Sequence, residues 1–236
     1  MQARIKEKQA VAKGTLMVVF DLLGHQVDFA PGQYFWVELP DRGHEDERGL
    51  RRHISIVTSP NEHGVLGLAT RIRDTAFKQT LAELDVGDEV IVEDPKGDFH
   101  LPADTSNEYV FIAGGIGITV LRSMLKYIAE ERLPYRITLL YSNRDRESTA
   151  FYDELLELER QIDGLKIVFT MTDDSSWDGE TRRIDADFIR AYQDGELADY
   201  TYIVSGPPGM VNGVADMLEG EGVPEEQVLR SRFAGY

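Results

Sequence analysis

Apolar residues in the first hundred positions come in short runs separated by turn sequences such as Pro31-Gly32. The runs are rich in β-branched and aromatic residues, a pattern typical of strands. Their even spacing predicts a small antiparallel barrel. The predicted strands cover residues 15–22, 34–39, 53–57, 66–72 and 89–92.

Two segments of this half depart from the strand pattern. Phe77, Leu81 and Leu84 recur at spacings of four and three, which predicts one helix between 75 and 85. The stretch 41–48 is almost wholly charged or glycine, and we expect a solvated loop there.

Beyond residue 105 the period changes. Near-continuous apolar runs now alternate with helical stretches, which predicts βαβ units around a parallel sheet buried on both faces. We expect a five-stranded, Rossmann-like α/β domain, with a linker at 101–107 and domains at 1–104 and 105–236. The predicted strands are 109–113, 137–141, 166–170 and 202–204, and the predicted helices are 120–131, 151–161, 186–192 and 210–218.

Composition narrows the possible chemistry. Among 236 residues, 25 Lys and Arg face 42 Asp and Glu, a net charge of −17, which argues against nucleic acid and anionic membranes as partners. The absence of cysteine excludes thiolate-held iron–sulfur clusters, disulfides and thiol nucleophiles, and the five scattered histidines indicate no metal site. Neither a secretory signal nor a membrane-spanning run is evident, so we expect a cytoplasmic protein.

Two glycine-rich segments carry the strongest chemical signal. One contains Gly114, Gly115 and Gly117 followed by Thr119, and the other runs from Ser205 and Gly206 to Met210. Each follows an apolar strand and precedes a helix, an arrangement that presents backbone N–H groups to a phosphate. The alternative is a tight strand-to-helix turn without a ligand, and the spacing is not the usual Gly-x-Gly-x-x-Gly.

A third candidate is Arg52, which lies among apolar residues with Ser55 three positions on. The planar arginine fork suits a pyrophosphate, and a short hydroxyl suits a flavin ring nitrogen. The alternative is an arginine paired with a carboxylate on the barrel surface.

Taken in order, these motifs resemble the ferredoxin–NADP reductase family over nearly the whole chain. Residues 52–55 resemble its Arg-x-Tyr-Ser flavin motif, and 74–81 with 95–99 its flavin-diphosphate segment. The run 114–119 is similar to its nicotinamide-dinucleotide loop, 205–210 to its Cys-Gly-Pro-x-x-Met turn, and 233–236 to its aromatic tail.

The resemblance implies an FAD-binding barrel followed by an NAD(P)-binding domain. Hydride would pass from nicotinamide to flavin, and electrons would pass on to a separate acceptor such as ferredoxin, flavodoxin or an oxygenase component. It assigns catalytic positions to Ser55, Ser205 and Tyr236. It assigns cofactor binding to Arg52, His53, Ile54, Ser55, Thr70, Ile72, Phe77, Lys78, Thr80, Gly114, Gly115, Gly117, Thr119, Ser142, Arg144, Gly206, Pro207, Met210, Phe233 and Tyr236.

Within that resemblance Arg52 would neutralise the FAD diphosphate, and the backbone from Phe77 to Thr80 would hold phosphate at a helix start. Phe233 or Tyr236 would shield the flavin ring. Ser205 stands where the family has cysteine, Ile54 where it has an aromatic residue, and Arg182 where glycine is common. These departures keep open a partner-dependent electron-transfer subunit, and a flavin or ferric-chelate reductase is a further alternative.

The choice of nicotinamide cofactor depends on the residues after the second strand of the α/β half. Ser142 and Arg144 favour NADPH, because hydroxyl and cationic groups hold its extra phosphate. Asp145 and Glu147 leave NADH possible, because a carboxylate there binds ribose hydroxyls.

Overall fold

The computed structural model describes residues 1–231. They form a six-stranded antiparallel sheet followed by a five-stranded parallel sheet with helices, which confirms the predicted fold class. One hydrophobic core continues from the first sheet into the second, since Met17 and Val57 belong to the same buried cluster as Phe111 and Leu139. No helix in this described part of the chain is long and apolar enough to cross a membrane.

The antiparallel sheet has the order β4-β3-β6-β1-β2-β5. Apolar side chains on alternate positions, among them Phe20, Phe35 and Leu68, fill its interior. Helix α1 closes this interior by burying Phe77 and Leu81, the stripe predicted from the sequence. The elements are β1 Gln2–Ala12, β2 Thr15–Asp21, β3 Tyr34–Glu38, β4 Arg51–Ser55, β5 Val65–Arg71, α1 Ala76–Glu83 and β6 Glu89–Val92.

Strand β1 is the one element of this sheet that the hydrophobic pattern did not predict. It pairs with both β2 and β6, but only Ala3 and Ile5 are fully buried along its length. Its remaining positions carry mostly charged or amide side chains that face solvent. Pairing on both edges, rather than burial, therefore places these residues in the sheet.

The parallel sheet has the order β11-β10-β7-β8-β9. The sequence pattern located four of these strands, and β11 is the fifth, a short strand of three residues that was not located. Elements of this half are β7 Glu108–Gly114, α2 Ile118–Glu131, β8 Arg136–Asn143, α3 Tyr152–Gln161, β9 Leu165–Met171, α4 Ala186–Arg190, β10 Thr201–Ser205, α5 Pro208–Gly220 and β11 Val228–Arg230.

This strand order creates a switch point between β7 and β10. From β7 the chain proceeds outward through β8 and β9, and then returns to place β10 on the other side of β7. The connections that leave the carboxyl ends of β7 and β10 therefore diverge, which opens a crevice at that edge of the sheet. Both glycine-rich segments of the sequence begin at this crevice.

The two halves are joined by a buried polar contact. Arg122 of α2 is only 6% exposed, donates through Nη1 to the carbonyl of Val57 at 2.6 Å, and forms a two-point ion pair with Glu154 of α3. Next to it, Ser123 Oγ donates to the carbonyl of Thr58 at 2.7 Å. These bonds attach the chain that leaves β4 directly to the first helix of the α/β half.

Candidate functional site

The two glycine-rich turns lie against each other at the crevice between β7 and β10. A Cβ added at Gly117 would lie 2.4 Å from the carbonyl oxygen of Ser205, and one at Gly206 would lie 3.2 Å from the amide nitrogen of Gly114. Met210 packs on Gly114, where a Cβ would lie 2.2 Å from its sulfur. A Cβ has no room at Gly117 because backbone atoms of the second turn fill the space, whereas at Gly114 it would displace the flexible side chain of Met210. We call residues 114–117 and 205–210 the paired turns.

A buried tyrosine, Tyr141, forms a hydrogen bond to the first of these turns. The hydroxyl of Tyr141, on β8, lies 3.0 Å from the carbonyl oxygen of Gly115 and 3.4 Å from that of Ala150. Gly115 has a φ of +51°, in the left-handed region where glycine is favoured. Burial raises the pKa of Tyr141, so its hydroxyl stays protonated and donates. Tyr141 therefore links the glycine turn to the loop after β8.

Replacing Tyr141 by phenylalanine should raise the KM for nicotinamide nucleotide by about 3- to 10-fold, the value of one buried hydrogen bond. The change in kcat should stay within about twofold, because the hydroxyl supports the backbone of the turn that the resemblance assigns to nucleotide binding, and such a role affects KM rather than kcat. Steady-state kinetics with NADPH and with NADH measure both constants. The matched control is Tyr202→Phe, which loses a buried bond to the carbonyl of Leu197 at 2.8 Å. Equal KM changes in the two variants would contradict the role of Tyr141.

The loop after β8 places the residues that concern cofactor choice. Ser142 lies beside Gly114 in the sheet register, and the side chain of Arg144 is exposed just beyond the strand. Asp145 accepts from the N–H and hydroxyl of Ser148 at 2.7 and 2.6 Å, and these bonds lower the pKa of Asp145. Glu147 pairs with Lys13 at 2.9 Å. Both carboxylates that kept NADH possible therefore already have partners within the protein.

Other predicted residues of the nucleotide site lie around the paired turns. Thr119 is buried and donates to the carbonyl of Ile116 at 3.1 Å, so its hydroxyl stabilises the turn. Pro207 is exposed and precedes the first turn of α5. Ser205 is fully buried at the end of β10, and its Oγ has no hydrogen-bond partner among the described residues.

On the barrel side, Arg52 points from β4 toward the N-terminus of α1. Its guanidinium lies over the ring of Phe77 at 5.6 Å, and Nη1 donates to the carbonyls of Arg48, Gly49 and Arg51. The other terminal nitrogen, Nη2, is buried and makes no hydrogen bond within the described residues. The alternative of an arginine paired with a carboxylate corresponds to one long contact, between Nη2 and Asp46 at 3.5 Å.

Positive charge is concentrated around this arginine. Burial lowers the pKa of Lys78, and the charges of Arg73, Arg52 and Arg71 lower it further. We call Arg52, Arg71, Arg73 and Lys78 the cationic cluster. The three arginines lie near enough to Lys78 to affect its pKa, in a chain whose net charge is −17.

Helix α1 begins at Ala76. The backbone N–H groups at its start therefore begin earlier in the chain than residues 77–80, to which the resemblance assigned phosphate binding. The N–H of Lys78 already donates to the carbonyl of Thr75 at 3.0 Å, and Phe77 and Thr80 turn their side chains into the barrel core. The N–H of Ala76 donates to a carboxylate of Asp46 at 2.9 Å. Lys78 thus contributes its ammonium group to this region, and the first turn of α1 contributes Ala76.

Four further predicted residues lie on β4 and β5, and a fifth, Ile72, directly follows β5. Ile54 packs on the barrel core, and Ser55 is 4% exposed. His53 lies on the opposite face of β4 from Ile54, with its ring 4.9 Å from that of Trp36. Thr70 is buried opposite Leu16, and the N–H of Ile72 donates to the carbonyl of Gly14. Phe233 and Tyr236, predicted to cover the flavin ring, lie outside the described residues.

Arg71 of the cationic cluster lies near the first of the paired turns. Strand β5, which ends at Arg71, contacts the turn 115–117, and the charge of Arg71 reaches the hydroxyl of Tyr141. The sequence had singled out neither Arg71 nor Tyr141, because an arginine in a strand and a tyrosine in a buried sheet carry no special signal until the two halves are packed together.

Two family models match the chain, one in each half. Residues 2–101 match the family model of the oxidoreductase FAD-binding domain, and residues 111–216 match that of the oxidoreductase NAD-binding domain. This chain belongs to the oxidoreductases that combine an FAD-binding domain with an NAD-binding domain. The resemblance stated from its motifs is therefore confirmed.

Relatives of this oxidoreductase family are similar over most of the chain. One component of the Na(+)-translocating NADH-quinone reductase of Haemophilus ducreyi is 27% identical over 90% of the chain and 62% of the relative. The reductase component of propane 2-monooxygenase of Rhodococcus jostii is 26% identical over 87% of the chain and 56% of the relative. The chain thus spans about 60% of the length of such relatives. The FAD/NAD-binding domain of Vibrio cholerae nitric oxide dioxygenase has the same fold, with a TM-score of 0.85, 21% identity and 98% coverage of both chains.

The residues present fit the two cofactors of the family. The unpartnered Nη2 of Arg52 and the N–H of Ala76 suit a diphosphate oxygen, since both are donors at a cationic site. At the paired turns, the space where a Cβ of Gly115 would project is open, so the backbone there is accessible to a dinucleotide. The buried, unpartnered Oγ of Ser205 marks a polar group at the same crevice.

Proposed function

We propose that this chain is the reductase module of an electron-transfer system: it takes hydride from NAD(P)H onto FAD and passes electrons to a separate acceptor. The observation that carries the proposal is the position of Arg71: it ends the strand that contacts the turn 115–117, and its charge also acts on Lys78, as that of Arg52 does. When bound there, FAD and nicotinamide would supply the hydride and electron chemistry. The protein groups would bind the two cofactors and orient their rings.

In this proposal the barrel side of the junction between the two sheets would bind FAD, and the α/β side would bind the nicotinamide nucleotide. Arg52, Lys78 and the N-terminus of α1 would neutralise the FAD diphosphate, with Ser55 nearby on β4. The paired turns would hold the pyrophosphate of the nicotinamide nucleotide, and Ser205 would border the nicotinamide ring. Hydrophobic packing between the sheets would keep the two sites in register, since hydride transfer depends on alignment within a fraction of an ångström.

The acceptor is proposed from the chemistry of the relatives. One is part of an NADH-quinone reductase and another is the reductase component of a monooxygenase. We propose an iron–sulfur protein such as ferredoxin, a flavodoxin or an oxygenase component as the acceptor, with the protein working in the cytoplasm. We further propose residues 1–104 and 105–236 as the FAD-binding and NAD(P)-binding units.

Anaerobic titration of the FAD-reconstituted protein with NADPH tests this function. Rapid bleaching of the oxidised-flavin absorption band on mixing supports a self-sufficient reductase. Bound flavin that neither NADPH nor NADH reduces would overturn it in favour of a partner-dependent electron-transfer protein. The complete burial of Ser205 favours that second candidate, because this residue would have to become accessible to border a nicotinamide ring.

We also propose NADPH as the preferred nucleotide, because Arg144 is exposed beside Ser142 while Asp145 and Glu147 are engaged elsewhere. Arg144→Ala should lower kcat/KM for NADPH by about 10- to 100-fold, the value of a charge-assisted contact with phosphate, and leave that for NADH within about twofold. The matched control is Arg146→Ala, since Arg146 lies over the ring of Tyr152 at 3.4 Å and pairs with Asp153. Equal losses with both nucleotides would contradict the preference.

A further inference from the structure

The loop 41–50 places a carboxylate of the protein itself at the cationic cluster. Asp46 Oδ2 accepts from the N–H of Ala76 at 2.9 Å, and Asp46 Oδ1 lies 3.5 Å from Nη2 of Arg52. These are the two donors that the proposed FAD diphosphate would use. The bond from Ala76 is the main cause of the lowered pKa of Asp46, so this carboxylate is charged at neutral pH.

Asp46 is an incomplete partner for these donors. Nη2 of Arg52 remains without a hydrogen bond although the carboxylate lies close to it. Asp46 Oδ1 is used instead within the loop, where it accepts from the N–H of Arg48 at 2.8 Å. A diphosphate has more anionic oxygens than one carboxylate, so it could satisfy both donors together.

The remaining contacts of the loop with α1 are weak enough to release. Arg42 pairs with Asp88 just after the helix, and His44 Nε2 lies 2.9 Å from Glu83 at its C-terminal end. All of these contacts lie at least partly in solvent, where an ion pair contributes little. The loop therefore lies along α1 without being locked to it.

We propose that Asp46 is a built-in competitor of the FAD diphosphate: it occupies the α1 N-terminus and Arg52 in the FAD-free protein and must leave when FAD binds. The side chain of Asp46 would turn away, and the N–H of Ala76 and Nη2 of Arg52 would then donate to phosphate oxygens. Nη1 of Arg52 would keep its bonds to the carbonyls of Arg48 and Gly49. This inference rests on the proposed FAD function. Its consequence is a weakened affinity for FAD and an easily exchanged flavin.

Flavin binding to the apoprotein tests the inference without reference to turnover. Titration followed by quenching of flavin fluorescence gives dissociation constants for FAD and for riboflavin, which lacks the diphosphate. Asp46→Asn keeps the side-chain size and the turn but removes the charge, and we expect it to tighten FAD binding by about tenfold, as removal of a competing anion at a helix N-terminus should. Asp46→Ala should do the same. Riboflavin affinity should stay within about twofold.

The matched control is Asp41→Asn in the same loop, where the carboxylate accepts from the N–H of Gly43 at 2.7 Å. It removes the same charge and should leave the FAD dissociation constant within about twofold. Unchanged or weakened FAD binding in both Asp46 variants would overturn the inference, as would an equal gain in the Asp41 variant or for riboflavin. A wild-type protein that binds no FAD would overturn the proposed function itself, and this inference with it.

Discussion

Replacing Gly117 by alanine is expected to lower kcat/KM for NAD(P)H by about 100-fold or more, because a displacement of the binding loop by about one ångström has an effect of that size. The new Cβ would lie 2.4 Å from the carbonyl oxygen of Ser205, 2.5 Å from its carbonyl carbon and 2.6 Å from the Cα of Gly206. All three are backbone atoms, so no side chain can move aside to relieve the overlap. The paired turns must separate.

The prediction concerns sterics alone, since Gly117 has an ordinary right-handed φ of −58° that alanine adopts freely. Steady-state kinetics and a direct nucleotide titration measure the loss, and flavin fluorescence should show that FAD binding persists in the other half. Gly209→Ala is the matched control. It lies in the same pair of turns with open space around it, so alanine should leave kcat/KM unchanged and slightly stabilise α5. Normal nucleotide binding by the Gly117 variant would contradict the packing of the two turns.

Replacing Arg122 by alanine is expected to reduce the free energy of unfolding by about 2 to 3 kcal/mol, the usual cost of leaving a buried acceptor unpaired together with the loss of a partly exposed ion pair. The change leaves the carbonyl of Val57 without its donor and Glu154 without its cation. It also removes the guanidinium that lies 4.8 Å from the centre of the Phe151 ring. Because these contacts join the halves, the barrel and the α/β unit should unfold in separate transitions.

Urea unfolding followed by circular dichroism measures the free energy of unfolding. Two separate transitions would be the most specific sign that the contact between the halves is lost. Arg122→Met keeps much of the side-chain volume and isolates the polar contribution. The control is Arg160→Ala, which breaks an exposed pair with Glu157 inside α3 and should change the free energy of unfolding by less than about 0.5 kcal/mol. A single cooperative transition at wild-type stability in Arg122→Ala would show that apolar packing alone joins the halves.

The hydrophobic pattern was sufficient for most of the secondary structure. Strand β6 lies at the predicted residues 89–92, and the central strands of the parallel sheet were located within two residues. Alternating and continuous apolar runs respond to burial, so burial can be deduced from them. The pattern did not locate the two strands that lack a clear burial pattern. Strand β1 is polar over most of its length, and β11 is too short to show a period.

The site residues also divide into those that the sequence indicated and those that it did not. The glycines of the paired turns and Arg52 carry a local signal, because an unusual residue type interrupts a regular element. Arg71, Tyr141 and Asp46 carry none. The stretch 41–48 is largely exposed, as expected for a solvated loop, yet Asp46 reaches the N-terminus of α1 from within it.

Local patterns along the chain were enough to specify two kinds of sheet, the order of the elements and the position of the two glycine turns, since each of these depends on near neighbours. Which groups meet was settled only by the packing of the fold: Gly117 with Ser205, Tyr141 with Gly115, and Arg52 with Asp46. These pairs come together because β10 returns beside β7 and because a charged loop lies over α1. A contact between residues distant in the chain depends on the packing of all the elements between them, and no local pattern encodes it.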